Sequence, residues 1–489
     1  MGLDRALWRL AAVVVLGTIM SILDTTIVNV AIETLARDLD ASLASIQWVS
    51  TGYMLALAIV IPLTGWMSER FGAKRIWMVS VGLFGAGSVL CALAWSDVSL
   101  IFFRVLQGFG GGMIMPVGMS LLAQTAGPQR IGRVMAVMGA PMLLGPILGP
   151  VIGGLIVDSV SWRWIFYVNV PIAAIALVMA AKLLSPDAGR SDAGRLDWTG
   201  LLLLSPGLAG IVFGLSESET HGGFGDAIVF GPMLGGVVLV ALFVRHAWTA
   251  PRPLLDVKLF RVPAFGAAAA TTFLLGAALF GALILLPLYY QVARGEDALT
   301  AGLLMAPQGI GAAIVMPIAG RLTDRIGGGI VALVGLVVLI VGTVPFAFVD
   351  ADTSYGLLAG TLVVRGLGLG ATMMPAMAAA YATLDNAAVP RATSSLNALQ
   401  RVGGSLGTAL LAVMLQGQIS EAIPGAGGSL GEFRPAGATV PPEAAEALAH
   451  AFANTFWWAI GLSIVALIPA TVLAVTQRRE RRAQPPVPV

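Results

Sequence analysis

GWMSERFGAKR (Gly65–Arg75) returns in the second half of the chain as GRLTDRIGGG (Gly320–Gly329). In both, a glycine is followed five residues on by an arginine, with an acid just before that arginine and a glycine two beyond it. Both stretches are short polar turns between long apolar runs. The chain is 57% hydrophobic and 11% charged, whereas soluble domains carry roughly a quarter charged residues, so a soluble globule is excluded. The apolar runs recur at lengths near the ~20 residues that cross a bilayer as a helix. Arg5 and Arg9 lead into the first run as in a signal peptide, but its apolar part is too long and no small-residue cleavage site follows, so it is read as a span.

Hydropathy places fourteen spans near residues 8–33, 46–68, 76–95, 98–123, 134–157, 164–184, 198–216, 227–247, 264–291, 299–320, 329–349, 355–382, 394–416 and 453–476. The repeated turn follows the second and the tenth span, which pairs spans 1–6 with spans 9–14 and leaves spans 7 and 8 as an insert. Arg104 in the fourth span then corresponds to Arg365 in the twelfth. The expected fold is an all-α integral membrane protein with 14 transmembrane helices, two six-helix pseudo-symmetric bundles and a two-helix insert. Its boundaries are 1–190 for the first bundle, 191–262 for the insert with its linkers, and 263–489 for the second bundle. The charges agree with this order. Arg37, Arg163, Arg294 and Arg434 fall on one side and Arg104, Arg365 and Arg401 within spans, so the other 21 of the 28 basic residues gather on one side. That side is expected to be cytoplasmic and to hold both termini.

Little else in the chain offers chemistry. Cys91 is the only cysteine, and His221, His246 and His450 lie in separate loops without metal-ligand spacing. There is no GxxxxGK[ST] loop to hold a nucleotide, and no nucleophile, metal cluster or catalytic dyad that would make an enzyme. No metal, cofactor or nucleic acid is expected. A transporter of this build draws on an ion gradient or on its substrate's own, and two facing halves predict alternating access with a site between them near the midplane.

The chain resembles the major facilitator superfamily, and within it the fourteen-helix drug/proton antiporters. Gly65, Glu69, Arg70, Gly72, Lys74 and Arg75 match the cytoplasmic loop motif of that family; the second copy keeps Gly320, Asp324, Arg325 and Gly327 but lacks the closing basic pair. RVLQGFGGG (Arg104–Gly112) is similar to the family's arginine motif and GPILGPVIGG (Gly145–Gly154) to its antiporter motif. LDTTIVNVAI (Leu23–Ile32) and WRWIFYVNVP (Trp162–Pro171) are similar to elements of the fourteen-helix branch, so the resemblance covers nearly the whole chain. It implies proton-coupled multidrug efflux of hydrophobic, cationic compounds by a bacterial inner-membrane protein working as a monomer. It also implies that Gly145, Gly149, Gly153 and Gly154, with Pro146 and Pro150, form an outer seal between the halves. The plainer reading of that stripe is ordinary close helix packing. In the turn, Glu69 can accept hydrogen bonds from Arg70 or from a nearby helix N-terminus and so lock the inner gate; the plainer reading is basic anchoring alone.

Asp24 is the one acid placed deep in a span. Leu10 to Asp24 rises roughly 21 Å at ~1.5 Å per residue, which leaves about 9 Å of a ~30 Å core. Arg104 lies seven residues below Asp97, roughly 10 Å down from the same face, so the two match in depth. Dehydration favours a neutral acid and a neighbouring guanidinium favours its anion; proton and cationic substrate would compete for Asp24. The alternative is a fixed ion pair orienting two helices. Candidates for the substrate cavity are Asn29, Gln47, Trp48, Tyr53, Gln107 and Met113 in the first half, and Tyr290, Gln308, Met373, Asn397 and Gln400 in the second. Arg401 is placed near the cytoplasmic side, where it can snorkel. Residues 416–450 read as a long flexible loop, and spans 7 and 8 as peripheral. The same machinery would serve a dedicated exporter of one antibiotic or metabolite; a non-transporting receptor or scaffold would show no substrate-triggered proton movement.

Overall fold

The computed structural model describes residues 4–127, 129–184, 194–218, 223–422 and 442–483, and every element among them is helical. The first six predicted spans are α1 (Arg5–Val30) continued by α2 (Ile32–Asp38), α3 (Leu43–Val60) with α4 (Leu63–Phe71), α5 (Ala73–Ala92), α6 (Asp97–Ala126), α7 (Ile131–Ser159), and α8 (Trp164–Tyr167) with α9 (Asn169–Leu183). The insert is α10 (Trp198–Glu217) and α11 (Ala227–Thr249). The remaining elements are α12 (Pro263–Leu288), α13 (Ala298–Leu304) with α14 (Ala306–Ile326), α15 (Gly328–Thr343), α16 (Tyr355–Gly370) with α17 (Met373–Tyr381), α18 (Val389–Ala422) and α19 (Pro442–Ala483). Twelve helical stretches among the described residues are long and apolar enough to cross a bilayer, and α3 with α4, bent by 56°, makes one more. The 29-residue α7 occupies the place of the fifth predicted span.

The breaks follow from proline. Pro62 has no N–H to return to Ala58, and the second span bends there into α4. Pro375 likewise has no donor for Ala371, and the twelfth span breaks between α16 and α17. The segment expected to be a loop from 416 to 450 is helical at both flanks, with α18 running to Ala422 and α19 starting at Pro442. PEAAEALAHAFA is rich in helix-forming Ala and Glu, and Leu448, Ala449, Ala451 and Phe452 are buried. Residues 423–441, His221 and the expected boundary at 190/191 lie outside the described residues.

The first six spans pack among themselves, chiefly α1 on α7 and α9, α3 on α6, and α5 on α6; the last six do the same through α12 on α18 and α19, and α14 and α15 on α16. Small residues set these seams. Gly87 of α5 leaves no room for a Cβ against the backbone of Gln107, and Gly403 and Gly407 of α18 meet the carbonyls of Phe273 and Ala277 on α12. The two sets meet where α7 packs on α14 and α17, and where α4 and α6 pack on α18. In the insert, α10 lies against both α3 and α18, bridging the two sets, while α11 packs mainly on α10 and is largely exposed.

Candidate functional site

Asp24, on α1, is 0% exposed, and it is the only fully buried acid among the described residues. Its Oδ2 accepts Arg104 Nη1 at 2.6 Å. Its Oδ1 accepts Gln107 Nε2 at 3.0 Å and Asn169 Nδ2 at 2.8 Å. Arg104 and Gln107 sit one turn apart on α6, so both reach the same carboxylate; Arg104 Nη1 also donates to Gln107 Oε1 at 2.7 Å. Arg104 Nε donates to Val49 O at 3.2 Å, and its guanidinium lies 4.1 Å over the Tyr53 ring. Ser88, from α5, accepts from both Gln107 and Asn169 and donates to Phe166 O at 2.9 Å. Five spans thus converge on one ion pair whose donors and acceptors are matched, as a charge out of water requires.

Asp24 and Arg104, which lie at matching depth along their helices, touch. Asn169 and Ser88 were not singled out from sequence, although the same arithmetic reaches Asn169: it lies five residues into the sixth span from Trp164, roughly 8 Å down. Two expected cavity residues belong instead to this cluster. Gln107 and Tyr53 are both fully buried; the amide of Gln107 is spent on Asp24, Arg104 and Ser88, and the ring of Tyr53 backs the guanidinium.

The corresponding position in the second half is built differently. Arg365 on α16 is 2% exposed. Its Nη1 donates to Gln308 Oε1 on α14, and its Nε has no partner. Gln308 is therefore engaged by an arginine and not free in a cavity. Tyr290 is also displaced from its expected role: it packs in an aromatic cluster with Tyr289 and Tyr355 inside the second set.

The repeated turns form two clamps at the basic end. Glu69 of α4 takes Arg391, the third residue of α18, in a bidentate pair at 3.0 and 2.9 Å. Asp324 of α14 takes Arg133 Nε at 2.5 Å and the N–H of Gly132, near the start of α7, at 2.8 Å. Each clamp joins one set to the other, and Thr64 and Ser394 hydroxyls meet across the first at 2.7 Å. The glycines explain the approach. A Cβ on Gly65 would lie 3.0 Å from Arg391 Cα, and one on Gly320 would lie 3.0 Å from Arg133 Cα. Gly72 and Gly327 end their helices at φ +90° and +103°, a region that favours glycine. The cross-set partner of Glu69 is thus Arg391, a residue the sequence marked only as one of the basic charges. Lys74 reaches back to Leu184 O at the end of α9, and Arg70, Arg75 and Arg325 are exposed. The insert is tied in as well: Arg391 Nη1 donates to Pro253 O at 3.2 Å, and the neighbouring Leu254 N donates to Asp197, which also holds His246 at 2.9 Å.

The glycine stripe corrects an expectation. Gly145, Gly149 and Gly153 face Ile22, Thr26 and Ile27 of α1, inside their own set and not across to the other. A Cβ on Gly149 would overlap Thr26, whose hydroxyl donates to Gly145 O at 3.2 Å. β-Branched side chains of α1 fill the groove the glycines leave. Gly154 has open space around it, and the side chains of Pro146 and Pro150 lie outside the described residues. Trp48 also turns away from the interface: it is exposed and stacks on Phe213 of α10 at 5.7 Å. Gln47 is exposed, and Asn29 accepts from Ser50 at 3.0 Å. Where the sets meet, thioethers face polar groups: Asn397 Nδ2 lies 3.9 Å from Met119 Sδ, and within the second set Gln400 Nε2 lies 3.6 Å from Met373 Sδ. Met113 is buried in the core.

A chain of this length whose described elements are all helical, with an internal repeat that clamps two sets of spans at one end, is a multi-pass membrane protein. The chain belongs to the Major Facilitator Superfamily, whose profile matches residues 14–408. It is a membrane transporter of small molecules. It is 42% identical to a multidrug resistance protein B homolog of Mycobacterium tuberculosis over 98% of this chain and 92% of that one. It is 33% identical to the multidrug export protein EmrB of Haemophilus influenzae, over 84% and 80%. Its fold is similar to that of the proton:xylose symporter XylE, with a TM-score of 0.62 over 94% of each chain at 13% identity.

Proposed function

We propose that the protein is a proton-coupled antiporter that exports hydrophobic compounds, cations among them, from a bacterial cell across its inner membrane. In this reading the clamp end is cytoplasmic, because the basic residues gather there, both termini lie on that side, and the working unit is a monomer. The proton gradient is the energy source and no cofactor takes part. Multidrug resistance and export are named for two relatives that align with most of the chain. The observation that carries the reading is Asp24, a lone buried acid held by donors from α6 and α9.

The chemistry follows from what a proton does at Asp24. As an anion, Asp24 holds α1 to Arg104. Protonation removes the charge and leaves a buried guanidinium without its partner, which is strongly unfavourable unless the helices rearrange. Proton binding is thereby tied to movement of α1 against α6. A cationic compound competes with Arg104 for the same carboxylate, so cargo and proton exclude one another. At the far end of α4 and α14, the two clamps hold the cytoplasmic side shut, and cargo can load from that side only when both open. The test uses everted membrane vesicles carrying a pH-sensitive dye. Addition of a hydrophobic cation is expected to release protons from vesicles with the wild-type chain and not from vesicles with Asp24→Asn. No cargo-triggered proton movement in wild-type vesicles would contradict the proposal.

A further inference from the structure

The two oxygens of Asp24 are not equivalent. Oδ1 accepts two amides, from Gln107 and Asn169, whereas Oδ2 accepts Arg104. A proton is therefore taken on Oδ2, the oxygen with fewer donors, and an O–H there meets the guanidinium donor to donor. Arg104 then loses α1 as a partner. What still holds it lies on other helices: Gln107 Oε1 at 2.7 Å, Val49 O at 3.2 Å and the ring of Tyr53, 4.1 Å from the guanidinium, with the Phe166 ring farther off at 5.8 Å.

Tyr53 is 0% exposed and occupies a seat in α6. A Cβ on Gly111 would lie 2.5 Å from its hydroxyl oxygen, and one on Gly108 would lie 3.3 Å from its Cδ2 and 2.9 Å from its carbonyl oxygen. RVLQGFGGG thus supplies both the cation and the room for the ring that faces it. The face of an aromatic ring is its negative side, which attracts a cation and repels an anion. While Asp24 is ionised the two effects oppose each other at the pair; once Asp24 is neutral, the attraction to Arg104 remains alone. Besides Asp24 on α1 and Arg104 on α6, the titratable groups facing this site are Cys91 on α5, whose Sγ is 3.6 Å from Gln107 Oε1, and Arg401 on α18, whose Nη1 is 3.6 Å from the sulfur of Met54, next to Tyr53.

We infer that Tyr53 is a positioning residue of the proton step: its ring holds Arg104 against α3 and α6 when Asp24 is protonated, so that α1 can part from α6 without stranding the guanidinium. The inference rests on the antiport reading and names the role of Tyr53 within it. Without the ring, a buried guanidinium beside a neutral acid is costlier, and Asp24 binds its proton more weakly.

Infrared titration of the purified full-length protein reads that proton directly and needs neither cargo nor a gradient. The signal is the carboxylic-acid carbonyl band that grows on acidification and is missing in Asp24→Asn. Tyr53→Leu is expected to weaken proton binding about tenfold, which moves the half-point of the band about one pH unit lower than in the wild type. Tyr53→Phe keeps the ring and should show less than about a third of that shift. Tyr53→Met refills the seat with a flexible apolar chain and should match Tyr53→Leu, which covers the case in which the leucine variant does not fold. An unchanged half-point in the leucine or methionine variant overturns the inference. So does a shift in Tyr53→Phe as large as theirs, or a wild-type chain in which no band depends on Asp24. The antiport reading is judged apart from this, by cargo-triggered proton movement in the vesicle assay, which can fail while the infrared shift is found.

Discussion

Arg104 and Arg365 occupy matching places in the two halves, yet they live in different chemistry. Each is buried on the fourth span of its half, and each lies where a glycine of the preceding span lets the backbones close up, Gly87 beside Gln107 and Gly342 beside Arg365. Arg104 meets a carboxylate, a carboxamide, a backbone carbonyl and an aromatic ring. Arg365 meets Gln308. A proton can change the charge of the first site, because Asp24 can accept one, and has no group to act on in the second. The clamps show the opposite pattern, since Glu69–Arg391 and Asp324–Arg133 repeat both the acid and the arginine. The six-span halves and their acid–arginine clamps are repeated, whereas the buried carboxylate–guanidinium pair occurs once among the described residues.

That asymmetry can be broken from either side. The largest effect is expected from Asp24→Asn, which keeps shape but removes the one fully buried carboxylate among the described residues; efflux driven by a proton gradient should vanish while membrane insertion and monodispersity persist. Next, Arg104→Ala should cut transport at least tenfold more than Arg365→Ala, because it strands a buried carboxylate, at a cost of about 3–5 kcal/mol. Equal losses in a transport assay would make the two arginines alike and purely structural. Opening one clamp with Glu69→Gln should shift the conformational balance by about 1–2 kcal/mol, roughly 5–30-fold, read as faster labelling of a cysteine placed at Ser394. The exchange Glu69→Arg with Arg391→Glu should slow that labelling again. A smaller change, Gln308→Glu, gives Arg365 the acid it lacks; the melting temperature should rise by about 1 °C, as about 1 kcal/mol would produce in a chain of this length, and the protons moved per cargo should stay the same. A second coupled proton would show that the other half can be turned into a switch. Smallest of all, Trp48→Ala should cost about 0.5–1.5 kcal/mol through the lost stack on Phe213 and leave proton coupling intact, in a melting assay set beside the vesicle assay.

Much of this was legible in the sequence because a bilayer simplifies the problem. Span positions follow from apolar length, and depth along a helix is counted at a fixed rise, so Asp24 and Arg104 could be brought level without knowing how their helices turn. Rotation was not legible, and it decided the rest. Gln107 and Tyr53 turn into the ion pair, Trp48 turns out to α10, and Gly145, Gly149 and Gly153 turn to α1 of their own half. Each of these faces is as apolar or as polar as the alternatives, so periodicity gives no preference. Arg391 was hidden for another reason: its partner Glu69 is 322 positions away, and in sequence it is one basic residue among many. Hydropathy starts the thirteenth span at 394, whereas the polar first turn of α18 is already helical at Val389.

The central claim is that proton and cargo exclude each other at Asp24. Proton release on ligand binding tests it most directly: purified protein in weak buffer with a pH indicator, titrated with tetraphenylphosphonium at several values across about pH 5 to 8. The account predicts release of up to about one proton per wild-type chain and no release from Asp24→Asn. Equal release from both proteins, or none from the wild type at any pH in that range while the ligand binds, would contradict it.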